Sequence, residues 1–73
     1  MNWCVYILQG DRFYVGSTND INRRLTEHKA KGYSTKRIGD WTLVKVIDCK
    51  TKEESRSLER KIKKSGHIER FIV

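Results

Sequence analysis

Trp3-Cys4-Val5-Tyr6-Ile7-Leu8 is a run of six apolar residues rich in β-formers, and it constrains the fold more than any other feature. It is far shorter than the ~20 residues of a membrane-spanning helix. Its length and composition predict a strand buried on both faces. Gln9-Gly10-Asp11 is a turn signal, and Arg12-Phe13-Tyr14-Val15 reads as a second strand stopping at Gly16. A three-residue loop containing Gly is a favoured hairpin connection. With residues 9–11 as that loop, Leu8 faces Arg12 and Tyr6 faces Tyr14. Directly opposed residues share a face of the sheet, with Cβ atoms ~5 Å apart, whereas a one-residue slip would separate the two phenols.

Ser17-Thr18-Asn19-Asp20 supplies helix-capping residues, and Ile21, Leu25 and His28 recur at helical spacing, which predicts a helix over 20–30 ended by Gly32. Residues 33–40 read as loop. Trp41-Thr42-Leu43-Val44-Lys45-Val46-Ile47 is a third strand. Thr51-Lys52-Glu53-Glu54 has the form of a capping box, and the helix it starts carries Leu58 and Ile62 and runs to about Lys64, before Ser65-Gly66 breaks it. Ile68, Phe71 and Ile72 are expected to pack a short terminal helical turn or tail. The order β-β-α-β-α with a short tail predicts an α+β fold, a small three-stranded sheet flanked by helices, as one domain over residues 1–73. The first two strands should be antiparallel. The pattern leaves the place of the third open.

Charge gives the first functional indication. Sixteen Lys and Arg oppose nine Asp and Glu, for a net +7. Thirteen of the sixteen fall within residues 22–37 and 50–64, so two segments brought to one face would make a phosphate-attracting surface. Two solvated helix faces are the plainer reading. Hydrophobic residues at 37% and charged residues at 34% suit a folded domain and exclude a disordered tail. Met1-Asn2-Trp3 begins neither a basic n-region nor a long apolar stretch, so a cytoplasmic location without membrane association is expected. Cys4 and Cys49 lack the short-spaced pairing of zinc sites. Two thiols are the expectation in a reducing compartment, with a single disulfide as the alternative.

Val5-Tyr6-Ile7, then Tyr14-Val15-Gly16, Ser17-Thr18-x-Asp20, Arg23-Arg24-Leu25-x-x-His28, Ser34-Thr35-Lys36, the Trp41 strand and Glu59-x-x-x-Lys63 form an ordered set. This set resembles the signature of the GIY-YIG nuclease superfamily, and is most similar to its small stand-alone bacterial members, excision-repair-nuclease-like domains. The resemblance runs from Trp3 to about Lys63. It departs from the family at the first glycine, replaced by Cys4-Val5, and an amide residue that some relatives carry after the glutamate helix has no counterpart here.

The resemblance implies a metal-dependent endonuclease acting on nucleic acid, with DNA and DNA repair as the expected setting. It assigns the family's catalytic positions to Tyr6, Tyr14, Arg24, His28 and Glu59. Glu59 would hold one divalent cation, Mg²⁺ or Mn²⁺, with waters and the substrate phosphate completing the shell. Arg24 would clamp the scissile phosphate with its planar fork. Tyr6 would act as general base, helped by Arg24 or the metal because a free phenol has a pKa near ~10. Tyr14 would hydrogen-bond the phosphate or the water, and His28 would relay a proton or contact phosphate. Arg23, Lys36, Arg37 and Lys63 are the expected nucleic-acid contacts, and Gly16 the tight turn from strand to helix. Each has a plainer alternative: cross-strand aromatics for Tyr6 and Tyr14, a solvated Arg24, a packing role for His28, a surface ion pair for Glu59 and Lys63. At the level of the whole chain the alternatives are a nucleic-acid-binding module without turnover, or an RNA- or structure-directed processing factor. With no groove-reading element evident, little sequence specificity is expected of a monomer, and a homodimer or protein partner would have to add it.

Overall fold

A computed structural model describes residues 2–31 and 40–72, the side chains of residues 30 and 31 excepted. Gly32 and residues 33–39 of the loop expected over 33–40, Lys36 and Arg37 among them, lie outside the described residues. The chain folds as β1 (Trp3–Gln9), β2 (Phe13–Thr18), α1 (Ile21–Lys31), β3 (Thr42–Cys49), α2 (Lys52–Ser65) and a closing 3₁₀ turn (Ile68–Phe71). This is the α+β order read from the sequence. No helix among the described residues is long and apolar enough to cross a membrane.

The sheet order is β2-β1-β3, antiparallel throughout, so the apolar run forms the central strand. Cys4 through Leu8 are all buried because a helix covers each face. Val5 and Ile7 point to one side, where Val15, Cys49 and Ile62 complete a core that Leu58, Ile68, Phe71 and Ile72 extend. Tyr6 and Leu8 point to the other side, against Tyr14, Ile21, Leu25, Trp41 and Leu43. This period-2 division leaves no room for a polar position between Cys4 and Leu8. Cys49 pairs with Trp3 and Cys4 with Asp48, so the two thiols stand on opposite faces of the sheet and remain free. That removes the disulfide alternative.

Capping chemistry fixes the helices as expected. The Asp20 carboxylate accepts from the Arg23 N–H at 3.1 Å and opens α1. Thr51 Oγ1 accepts from the Glu54 N–H at 3.1 Å and opens α2, which ends at Gly66 with φ +73°, a left-handed conformation that suits glycine.

Two local expectations need correction. The hairpin loop is residues 10–12, one residue later than expected, with Gly10 N–H bonded to the Arg12 carbonyl at 3.0 Å. Tyr6 therefore faces Gly16 and Leu8 faces Tyr14. Moving the loop centre by one residue shifts the pairing by two, which preserves the face. The two phenols thus remain neighbours, diagonally, with ring centroids 6.2 Å apart. The second correction concerns Gly16. It is not a turn into the helix but lies inside β2, which continues to Thr18. Its role comes from the strand opposite. A Cβ built there would lie 2.6 Å from Tyr6 Oη and 2.7 Å from Cζ, so the Tyr6 ring occupies the space a side chain would need.

Candidate active site

β2 is an edge strand, and both faces of the sheet meet at its free edge. Tyr14 and Gly16 belong to the Tyr6 face, while Ser17, opposite Val5, belongs to the α2 face. At this seam a cleft of about 160 Å³ is lined by Tyr6, Tyr14, Gly16, Ser17, Arg24, Arg56 and Glu59. Tyr6, Tyr14, Arg24 and Glu59, taken from four elements, thus surround one polar space. Glycine at position 16 lets the Tyr6 ring lie across the edge strand and bring its hydroxyl to the cleft.

Tyr6 is 1% exposed, and its hydroxyl lies 2.9 Å from His28 Nε2. His28 is itself 3% exposed and sets its ring edge-on to Tyr14, centroids 5.2 Å apart. The packing role of His28 is seen in these buried contacts, which also set its Nε2 against the Tyr6 hydroxyl. Burial pushes the Tyr6 hydroxyl above its ordinary range, with Tyr14 and Glu59 adding to the rise, and the Arg24 charge offsets only part of it. Arg24 thus acts in the expected direction without making a phenolate. Burial lowers the His28 pKa, and the Arg24 charge lowers it further against an opposing effect of Glu27. Both groups are neutral at neutral pH.

The His28 shift sets a pH dependence. Its folded pKa is depressed, so below the ordinary histidine range the unfolded chain binds a proton that the fold resists. Stability is complete at pH above that range and falls as pH drops through it. Between about pH 7 and pH 5, wild type should lose melting temperature faster than His28→Phe, whose ring cannot charge. Melts followed by circular dichroism measure both slopes, and equal slopes would contradict the assignment.

Arg24 closes the first turn of α1, its side chain 42% exposed and 3.8 Å from Glu27 Oε1. Arg23 is beside it, more exposed, loosely paired with the same carboxylate at 4.0 Å and outside the cleft lining. Glu59 projects from α2 with 19% of its side chain exposed. Burial works to raise its carboxyl, but hydrogen bonds from Lys63 and Ser17 and the charges of Lys63 and Arg56 outweigh it and hold the group below its ordinary range. Lys63, expected on the nucleic-acid surface, places Nζ 2.7 Å from Glu59 Oε2, the ion pair that i, i+4 spacing favours.

Two lining residues escaped the sequence reading. Ser17 stands in the sequence as a capping and motif residue with no site role assigned to it. Arg56 lies three residues before Glu59 on the same helix, a spacing that puts both on one side and was the available signal.

Among the described residues no group of three or more His, Cys, Asp or Glu could hold a metal ion. The donor set is one ionised carboxylate in a polar cleft. That chemistry fits a hard cation of the Mg²⁺ type, which takes one or two carboxylates and fills its shell with waters and phosphate oxygens. The Lys63 ammonium holds the position such a cation would compete for.

No curated protein and no solved structure shows a significant match to the chain. The family model of the GIY-YIG catalytic domain matches residues 2–67, nearly the whole sequence, including every element that lines the cleft. The chain belongs to the GIY-YIG nuclease superfamily.

Proposed function

We propose that this protein is a divalent-metal-dependent endonuclease that hydrolyses DNA phosphodiester bonds with little intrinsic sequence specificity, working in the cytoplasm, where Cys4 and Cys49 stay reduced. The observation that carries this reading is the convergence of Tyr6, Tyr14, Arg24 and Glu59 on one polar cleft at the edge of β2.

Glu59 would hold the Mg²⁺ or Mn²⁺, displacing Lys63. When bound, the cation would stabilise charge on the phosphate and on the departing oxygen. Arg24 is exposed enough to reach substrate, and its fork can take two phosphate oxygens at once. Tyr14 orients the phosphate or the attacking water. Tyr6 takes the water's proton at Oη as it passes its own to His28 Nε2, so no free phenolate is needed despite the raised pKa. The neutral state of His28 makes it a proton acceptor at that moment. Water oxygen attacks phosphorus, the P–O ester bond breaks, the alkoxide takes a proton from solvent, and His28 gives up its proton through Tyr6 to solvent to restore both groups.

The net +7 charge supports a backbone-dominated, salt-sensitive interaction. The test is nicking of supercoiled plasmid and cutting of branched DNA, with RNA of matched structure alongside, in Mg²⁺ and in EDTA. Cutting of DNA that EDTA abolishes is expected. Binding without cutting in any metal would replace this reading with a binding module, and preferential cutting of RNA would change the substrate.

A further inference from the structure

Arg56 lines two spaces at once. On one side is the cleft. On the other is an open groove of about 500 Å³ along the outer face of α2, lined by Lys52, Glu53, Arg56, Ser57 and Arg60. Lys52, Arg56 and Arg60 recur at four-residue intervals, so their Cα atoms are about 6 Å apart along the helix axis. Their charges form a stripe whose spacing is comparable to that of successive phosphates in one nucleic-acid strand.

These cations differ from the other basic residues of the site. Arg23 and Arg24 share Glu27, and Lys63 is bonded to Glu59. Among the described residues no carboxylate lies within 4 Å of the charged end of Lys52, Arg56 or Arg60. Lys52 instead lies over the Trp3 ring, 5.7 Å from its centroid, which ties the far end of the stripe to the body of the domain. Among the described residues Glu53 is the one acidic residue of the lining against three cations.

We propose that this groove is a second phosphate subsite. The strand that enters the cleft continues over Arg56, and its flanking phosphates rest on Arg60 and Lys52. The ligand class is a nucleic-acid backbone of several nucleotides, held without base readout. The direction of the strand rests on the phosphodiester reading of the cleft, whereas the binding surface does not.

The test is anisotropy of a labelled DNA duplex in EDTA, where no cleavage occurs, with affinity measured across a series of KCl concentrations. It compares wild type, a Lys52→Gln/Arg60→Gln double variant and Lys45→Gln. Both substituted α2 residues are exposed, so the fold should persist. Lys45 is on β3, separated from the cleft edge by the width of the sheet. The slope of log affinity on log salt should fall by about two in the double variant, close to one for each phosphate that is no longer neutralised, and should stay at the wild-type value in Lys45→Gln. An unchanged slope in the double variant overturns the subsite. A fall in Lys45→Gln comparable with that of one α2 substitution also overturns it, because net charge alone would then account for the effect. If wild type binds with the predicted slopes yet never cuts DNA in Mg²⁺, the subsite stands and the nuclease reading falls.

Discussion

Arg24→Ala is expected to lower the nicking rate about 10²–10³-fold, the usual cost of removing a donor aimed at charge that develops in the transition state. The reason lies in what else the cleft offers the phosphate. Lys63 is spent on Glu59, and Arg23 lies outside the lining, so among the described residues Arg24 and Arg56 are its cationic lining residues. Arg56 stands beside Glu59 on α2, whereas Arg24 comes from the Tyr6 side and can hold the phosphate facing the phenol. Arg24→Lys should recover only a small part of the loss, since an ammonium keeps the charge without the two-pronged geometry. The fold should not suffer, because the side chain is 42% exposed and its ion pair with Glu27 is a long one at 3.8 Å. Single-turnover nicking with melting temperature as a control measures both. A rate within a few-fold of wild type would remove Arg24 from the site.

Gly16→Ala should damage stability and activity together. The new methyl would meet Tyr6 Oη at 2.6 Å and Cζ at 2.7 Å. The ring cannot yield cheaply, since it is 1% exposed and its hydroxyl is bonded to His28. Overpacking of this kind costs about 1–3 kcal/mol. In a domain of this size that lowers the melting temperature by roughly 4–8 °C for each kcal/mol. Whatever movement relieves the clash carries Tyr6 Oη away from the cleft, so nicking should fall more than the loss of folded protein explains. Combining Gly16→Ala with Tyr6→Phe removes only the Oη clash and leaves Cζ at 2.7 Å, so the double variant should remain destabilised. A melting temperature unchanged by Gly16→Ala would show that the ring does not hold the position described.

Features fixed by local periodicity could be read from the chain. The apolar run became the central strand, the Thr51 cap and Gly66 stop bounded α2, and Ile21 and Leu25 gave α1 its inner stripe. The hairpin register was less legible, because the choice between a loop at 9–11 and one at 10–12 turns on a single residue of ladder. Tyr6 and Tyr14 lost their direct pairing in that shift but kept a common face, because the face repeats every two residues. Gly16 was visible as a motif residue but not as the hollow under Tyr6, since that depends on which residue stands opposite. The edge position of β2 was hidden for the same reason, and with it the seam that brings Ser17 and Arg56 to the tyrosines. Glu59 takes part in two arrangements at once. Its four-residue spacing to Lys63 gave the ion pair, and its place on α2 gave the cleft carboxylate.

The central claim is that Glu59 and the two tyrosines serve one phosphodiester-cleaving site, and Glu59→Gln tests it most directly. The amide keeps the shape and can still hydrogen-bond Ser17 and Lys63, but it lacks the charge a cation requires. Plasmid nicking in Mg²⁺ should fall at least about 10²-fold, with the melting temperature near that of wild type and DNA binding in EDTA retained. Nicking by Glu59→Gln at a rate close to wild type, still abolished by EDTA, would place the metal elsewhere and contradict the site.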